Sequence, residues 1–250
     1  MAESTAIQAR LFSLYSPSGR QAFFVSLISI AIFTPTLLTE YLEPVVTFFP
    51  IVAIIAIAMV RTGKPAAIPT WAVFNMFSVY LMVYAGYSFG TMLPVELLIL
   101  FLLGMLVYDM IGVKGGQMQS MAAKMISYGI PIFILVPHSE SFSFERFREI
   151  VSEEGLEGLH GSDHGISMLG IGDGFLPAAL AVSAGTFGTA TQIGVLSATL
   201  PQLTTAAGGI VGLALLMWAD LPKAIAALIV SVPGALVGLG LGLLVEYGLF

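Results

Sequence analysis

Residues 168–177, MLGIGDGFLP, place one carboxylate, Asp173, in a run that otherwise has the composition of a membrane-spanning helix. No Asp, Glu, Lys or Arg occurs over residues 174–219, so Asp173 lies at the edge of a long charge-free tract. An ionisable side chain inside a membrane costs roughly 2.5–3.5 kcal/mol on insertion scales, and such residues usually carry function. Asp173 is therefore a candidate functional residue. Its candidate partner is Asp109, in the apolar stretch 102–111.

The composition predicts a multi-pass integral membrane protein. Of 250 residues, 57% are hydrophobic and 10% are charged, with a mean hydropathy of +0.96. A soluble domain has about a quarter of its residues charged. No basic patch occurs, so nucleic acid is not expected as a partner. The chain has no cysteine, which excludes disulfides and thiolate metal sites.

Charge-free apolar runs predict an all-α fold, a polytopic transmembrane helix bundle of about seven spans at about 20 residues per crossing. The spans are expected over residues 21–39, 44–60, 65–90, 94–113, 165–183, 192–218 and 222–245. We expect one membrane domain, 1–250. Residues 21–90 would form an N-terminal scaffold, 94–183 the spans that carry the two acids, and 192–250 the C-terminal spans.

Two segments between the spans are of other kinds. Residues 125–137 are apolar but too short to cross a bilayer, so they are predicted to be re-entrant or interfacial. Residues 138–164 form a polar, Glu-rich loop in which apolar residues recur near helical spacing, which predicts a short amphipathic helix at the surface. This loop is either a solvated linker or a regulator of access to the acids. His160, Asp163 and His164 in it lack a fourth ligand, so no metal site is expected.

Loop charges predict the orientation in the membrane. All nine basic residues fall on one side if the N-terminus is cytoplasmic, as the positive-inside rule requires. They are Arg10, Arg20, Arg61, Lys64, Lys114, Lys124, Arg146, Arg148 and Lys223. The C-terminus would then lie outside.

The two acids are predicted to meet. Asp109 lies five residues before Lys114, about 7–8 Å from that end of its span at 1.5 Å per residue. Asp173 lies at a similar depth on the next, antiparallel span. Gly170 and Gly172 would let the helix backbones approach closely. Two carboxylates a few ångströms apart in a low dielectric share one proton, and such a pair can perform aspartic-protease chemistry.

At these residues the sequence resembles the presenilin and signal-peptide-peptidase family of intramembrane aspartyl proteases. The family carries Tyr-Asp on one span and Gly-x-Gly-Asp on the next, as in Tyr108-Asp109 and Gly170-Ile171-Gly172-Asp173. A Lys-Gly after the first motif, at Lys114-Gly115, and a cytoplasmic loop between the motifs agree with it. The resemblance runs from about Pro94 to the C-terminus. The family usually has nine spans, with five before Tyr-Asp where we count three.

The resemblance implies an aspartic endopeptidase that cleaves single-span membrane proteins or signal-peptide-like substrates within the lipid bilayer, without cofactor or metal. It implies that Asp109 and Asp173 are catalytic and that Tyr108, Gly170 and Gly172 shape the site. The family has a Pro-Ala-Leu element at the start of its last span. The best positional match is Pro222-Lys223-Ala224, which makes Pro222 a site-shaping candidate. Residues 125–137 would fill the substrate groove, as a comparable family segment does, or anchor at the interface.

Two alternatives stay open. A prepilin-peptidase-like enzyme also uses Gly-x-Gly-Asp, although that family usually follows the Asp with x-Lys-Leu and this chain has Gly174-Phe175-Leu176. A proton- or cation-coupled transporter would use the paired carboxylates to bind its ion. The absence of a visible internal repeat argues against the duplicated transporter architectures. The oligomeric state is not predicted.

Overall fold

The structure is a computed structural model that describes residues 17–43, 48, 51, 52, 55, 58, 70–114, 117–139, 142–156, 166–193, 196–218 and 227–248. Most of the predicted span at 44–60 lies outside the described residues. So do the loop residues 157–165, with His160, Asp163 and His164, and the stretch 219–226, with Pro222.

Five long helices form the frame of the molecule: α1 (Pro17–Leu37), α2 (Thr70–Met92), α3 (Val95–Lys114), α7 (Leu200–Trp218) and α8 (Leu228–Glu246). Over the described residues, these five are long and apolar enough to cross a membrane. Their outer faces expose large apolar side chains such as Met76, Leu100 and Val237, which a bilayer would cover. The predicted all-α membrane bundle is confirmed, and the chain is an integral multi-pass membrane protein.

A shorter helix, α6 (Ile171–Ser183), lies at the centre of the bundle. It contacts α1, α2, α3, α7 and α8, and from Leu176 to Ser183 every side chain is buried. Its 13 residues span about 20 Å, less than the roughly 30 Å of a bilayer core. The expected continuous helix over 165–183 is therefore wrong at its start. Residues 166–170 are extended, and α6 begins only at Ile171.

The extended residues belong to a two-stranded antiparallel sheet. Strand β1 (Phe133–Pro137) pairs with strand β2 (Ile166–Gly170), with Phe133 opposite Gly170 and Pro137 opposite Ile166. The segment 125–137, predicted to be re-entrant or interfacial, divides between the end of helix α4 (Gln117–Ser127) and β1. Gly129 causes the division: with φ 69° it ends α4, and its N–H donates to the Ile126 carbonyl.

Two polar side chains of α2 hold the outer edge of β1. The Asn75 amide donates to the Leu135 carbonyl at 2.6 Å, and its carbonyl oxygen accepts from the Leu135 N–H at 2.7 Å. One helical turn on, the Ser78 hydroxyl donates to the Phe133 carbonyl at 2.6 Å. Unpaired backbone groups are costly in a membrane. These two side chains take the place of a third strand on this edge.

We expect Asn75→Leu to lower the free energy of unfolding by about 2–5 kcal/mol, because it leaves the buried N–H and C=O of Leu135 unpaired. Thermal unfolding in detergent measures the change. Met76→Leu is the matched control, since Met76 is the next residue and is 66% exposed on the outer face. Equal unfolding temperatures for the two variants would contradict this role of Asn75.

The polar loop contains the predicted amphipathic helix, α5 (Phe144–Glu154). Ser143 caps it by accepting a hydrogen bond from the Arg146 N–H. Its apolar face buries Phe144, Phe147 and Val151 in one cluster with residues of α2, α4 and β1. Arg148 Nη2 donates to the Ser127 carbonyl at the end of α4, 2.6 Å away. The helix is therefore packed onto the bundle on one side.

Helices α7 and α8 make the most extensive helix contact in the described structure. A Cβ at Gly208 would strike the Gly234 carbonyl, and one at Gly238 would strike the Thr204 carbonyl, so the two backbones touch directly. The expected start of this span at residue 192 is wrong. Strands β3 (Thr191–Ile193) and β4 (Leu196–Ala198) form a hairpin first. Thr199 and Gln202 then start α7 by exchanging backbone-to-side-chain hydrogen bonds.

Candidate active site

A cavity of about 410 Å³ lies where α3, α4, the β1–β2 sheet, α6, α7 and the start of α8 meet. Its described lining is apolar except for two carboxylates and one phenol. The lining residues are Met105, Tyr108, Asp109, Met121, Ala122, Ile132, Phe133, Leu156, Met168, Leu169, Gly170, Ile171, Gly172, Asp173, Leu216, Met217, Ala227 and Leu228. Asp109 and Asp173 thus open into one shared space.

Asp173 is held by the junction between β2 and α6. Gly170 ends the strand and is the N-cap of the helix, which places Asp173 at the third helical position. Its carboxylate folds back and accepts a hydrogen bond from the Gly170 N–H, as the third residue of a capping box does. A Cβ built on Gly170 would lie 3.4 Å from Asp173 Oδ2. The Asp173 carboxylate therefore lies directly beside Gly170.

Pro177 alters the same first turn of α6. Proline has no backbone N–H, so it cannot donate to the carbonyl of residue i−4, which is Asp173. The turn that carries the carboxylate thus lacks one of its normal hydrogen bonds.

Asp109 lies near the end of α3 and is only 5% exposed, although its neighbour Tyr108 is 54% exposed. Met105, one turn earlier on the same helix face, also lines the cavity. Asp109 and Asp173 line the same cavity, which places their carboxylates close enough to interact electrostatically. The two acids that the sequence places 64 residues apart are therefore electrostatic neighbours.

The structure differs from the expected role of the glycines. Gly170 and Gly172 both line the cavity, but a Cβ at Gly172 would meet nothing within 4 Å, so neither glycine brings two helices together. That role belongs to Gly174, whose Cβ would lie 2.7 Å from Met82 Sδ on α2, and to Gly86, 2.8 Å from the Ala178 Cβ. Pro222 lies outside the described residues.

Sequence reasoning missed the lining that comes from distant segments. Phe133 reaches the cavity from β1, Met121 from α4, Leu156 from the end of the polar loop, and Met217 and Leu228 from the last two helices. The only sequence signal for these residues is their apolar character, which they share with most of the chain. Within the described part of the chain, no group of three or more His, Cys, Asp or Glu side chains could hold a metal ion.

The open space at Gly172 gives a direct test of the cavity. If the cavity receives the membrane peptide that the sequence resemblance implies, Gly172→Leu should fold normally and lower kcat/KM for that peptide by about tenfold or more, chiefly through KM, because the new side chain occupies the cavity. Gly104→Leu is the matched control, because a Cβ at Gly104 also meets nothing within 4 Å and this residue is outside the described lining. If both variants kept full activity, the cavity would not be the substrate site.

Comparison with known proteins identifies a family for the chain. A family model described as signal-peptide peptidase, presenilin aspartyl protease, matches residues 6–247. The match includes the N-terminal part that the sequence motifs alone left uncovered. Comparisons with curated proteins and with solved structures give no significant match. Because the family model spans nearly the whole chain, this integral membrane protein belongs to the signal-peptide peptidase and presenilin family of aspartyl proteases.

Proposed function

We propose that this protein hydrolyses peptide bonds within transmembrane helices, with Asp109 and Asp173 as the catalytic acid and base. The observation that carries the proposal is the shared cavity, which two carboxylates line and whose other described walls are apolar apart from the Tyr108 phenol. Family membership supports aspartyl-protease chemistry in general. The transporter and prepilin-peptidase alternatives gain no support from the family match.

The chemistry follows from the pair as a unit that holds one proton. The ionised carboxylate takes a proton from water while the water oxygen attacks the peptide carbonyl carbon. The protonated carboxyl donates its proton to the carbonyl oxygen, which gives a tetrahedral diol. The proton taken from water then moves from the pair to the amide nitrogen. The C–N bond breaks as one diol hydroxyl gives its proton to the ionised pair and re-forms the C=O bond, so the products are a carboxylic acid and an amine and the pair again holds one proton.

The substrate must be extended for this attack, because a helix shields its own peptide bonds. The outer edge of β2 supports that conformation. Ile171 donates to Ile132 across the sheet, so by antiparallel alternation the N–H and C=O of Met168 point away from β1. No described residue pairs with this edge of Met168, which lines the cavity. A peptide that adds as a further strand would lie beside Asp173.

Cleavage by the purified protein tests the proposal. A single-span peptide with a fluorophore and quencher at its ends is incubated with the protein in detergent and in liposomes, and the products are identified by mass spectrometry. We expect a cut inside the apolar segment. Proton flux is recorded in the same liposomes. Flux through the protein without cleavage of any peptide in a varied panel would overturn the protease assignment.

The membrane orientation is also a proposal, from the loop charges: the N-terminus in the cytoplasm and the C-terminus outside. Because the chain has no cysteine, single cysteines report accessibility without background. We expect a membrane-impermeant maleimide to label Tyr247→Cys in intact cells and Glu145→Cys only after permeabilisation. Both positions are exposed. The opposite labelling pattern would show that the N-terminus lies outside and the C-terminus in the cytoplasm.

A further inference from the structure

The wall of the active-site cavity is rich in methionine. Met105, Met121, Met168 and Met217 are four of the 18 described lining residues, whereas the whole chain has 12 methionines among 250 residues. They come from α3, α4, β2 and α7, four of the elements that line the cavity. A single sequence motif cannot explain four methionines that only the fold brings together.

Three of these methionines pack against the buried clusters of the bundle but are themselves only partly buried. Met105, Met168 and Met217 are half-buried and Met121 is 46% exposed, and all four line the cavity. Met82 shows the contrast, because it is fully buried with its sulfur close to Gly174. A core methionine fills a fixed gap. The four at the cavity instead border a space of about 410 Å³.

Methionine suits a wall that must adapt. Its unbranched side chain has three rotatable bonds and a polarisable sulfur, and it makes favourable contacts with aromatic rings, so methionine-rich surfaces bind varied apolar partners. Leucine of similar volume is branched and stiffer. The only charged side chains in the described lining are the carboxylates of Asp109 and Asp173. An acidic substrate side chain would therefore lose its water without gaining an oppositely charged partner, and only a basic one could pair with a carboxylate.

We propose that Met105, Met121, Met168 and Met217 are specificity-determining residues that form an adaptable apolar subsite. The subsite accepts large apolar side chains of different shapes, such as leucine, methionine and phenylalanine, beside the bond that is cut. This inference rests on the proposed protease function. The cleavage site would then depend more on the depth of the peptide bond in the membrane than on the identity of the substrate residues beside that bond.

The test replaces adaptable side chains by stiffer ones of similar size. A variant with Met105→Leu, Met121→Leu, Met168→Leu and Met217→Leu is compared with the wild-type protein, together with the four single variants. Each is given a mapped membrane peptide in which the residue before the cut bond is alanine, valine, leucine, methionine or phenylalanine. The wild-type protein is expected to cleave the leucine, methionine and phenylalanine peptides with kcat/KM values within about threefold.

In the fourfold variant, the kcat/KM values for the leucine, methionine and phenylalanine peptides are expected to differ by about tenfold or more, with the phenylalanine peptide most affected. Met76→Leu combined with Met92→Leu is the control, because these methionines are 66% and 79% exposed on α2, outside the described lining. Thermal unfolding verifies that each variant is folded. If the fourfold variant does not fold, the single variants replace it, and smaller differences in kcat/KM are expected for them.

The test distinguishes failure of the subsite inference from failure of the proposed protease function. If cleavage depends on Asp109 and Asp173 but the spread is the same in wild-type and methionine variants, the subsite inference is wrong and the protease function stands. If the wild-type protein cleaves no peptide, both proposals fall.

Discussion

Asparagine at position 109 or 173 is expected to reduce kcat/KM for a transmembrane peptide by about 10³–10⁴-fold. Asparagine keeps the size and shape of aspartate, but it neither takes a proton from water nor supplies one to the peptide carbonyl. At position 173 its side-chain oxygen still accepts from the Gly170 N–H, so the start of α6 is preserved. The loss would therefore be chemical and not structural, which unchanged thermal unfolding would verify.

The double variant makes the test sharper. Because the two acids act as one unit, Asp109→Asn combined with Asp173→Asn is expected to be no less active than either single variant. Glu96→Gln is the control, since it removes an exposed carboxylate from the first turn of the same helix α3 and should leave activity unchanged. If either aspartate variant kept a tenth or more of the wild-type activity, its residue would not be part of the catalytic pair.

Gly238→Ala is expected to lower the free energy of unfolding by about 1–3 kcal/mol or more, because it forces apart two helices whose backbones touch. The added Cβ would strike the Thr204 carbonyl, which belongs to the backbone of the second turn of α7 and cannot move aside as a side chain could. The same two helices carry Met217 and Leu228 to the cavity. Separation of α7 from α8 should therefore lower cleavage activity as well.

Gly240→Ala is a closely matched control, because it adds the same methyl group to the same helix two residues later, where nothing lies within 4 Å. Alanine has the higher helix propensity, so this variant should be neutral or stabilised by about 0.5–1 kcal/mol. Thermal unfolding in detergent and peptide cleavage measure both variants. Equal behaviour of the two would show that the α7–α8 contact is not as close as the structure has it.

The long helices were predictable from the sequence because each is an apolar run of membrane-spanning length. The Tyr108-Asp109 and Gly-x-Gly-Asp motifs identified the candidate acids for a physical reason, since a carboxylate in such a run is expensive. The start of α7 was less predictable. The hairpin at residues 191–198 is as free of charge as the helix that follows, so composition does not separate the two.

The β1–β2 sheet could not be predicted from local pattern. Its strands, FILVP and ISMLG, are short apolar runs whose periodicity does not distinguish a strand from a buried helix. Their pairing joins segments about 30 residues apart, and Asn75, which stabilises it, lies about 60 residues before β1. Asn75 and Ser78 at positions i and i+3 of an apolar span are the one signal that polar contacts would be made there.

The amide of Asn75 also limits how many chains the sheet can hold. Because side chains of α2 occupy the β1 edge of the two-stranded sheet, a further strand can add only at the β2 edge, beside Met168. Under the proposed mode of binding, the stoichiometry is one peptide per protein molecule. A non-cleavable peptide that adopts the strand conformation should consequently behave as a purely competitive inhibitor, raising the apparent KM while the maximal rate stays constant.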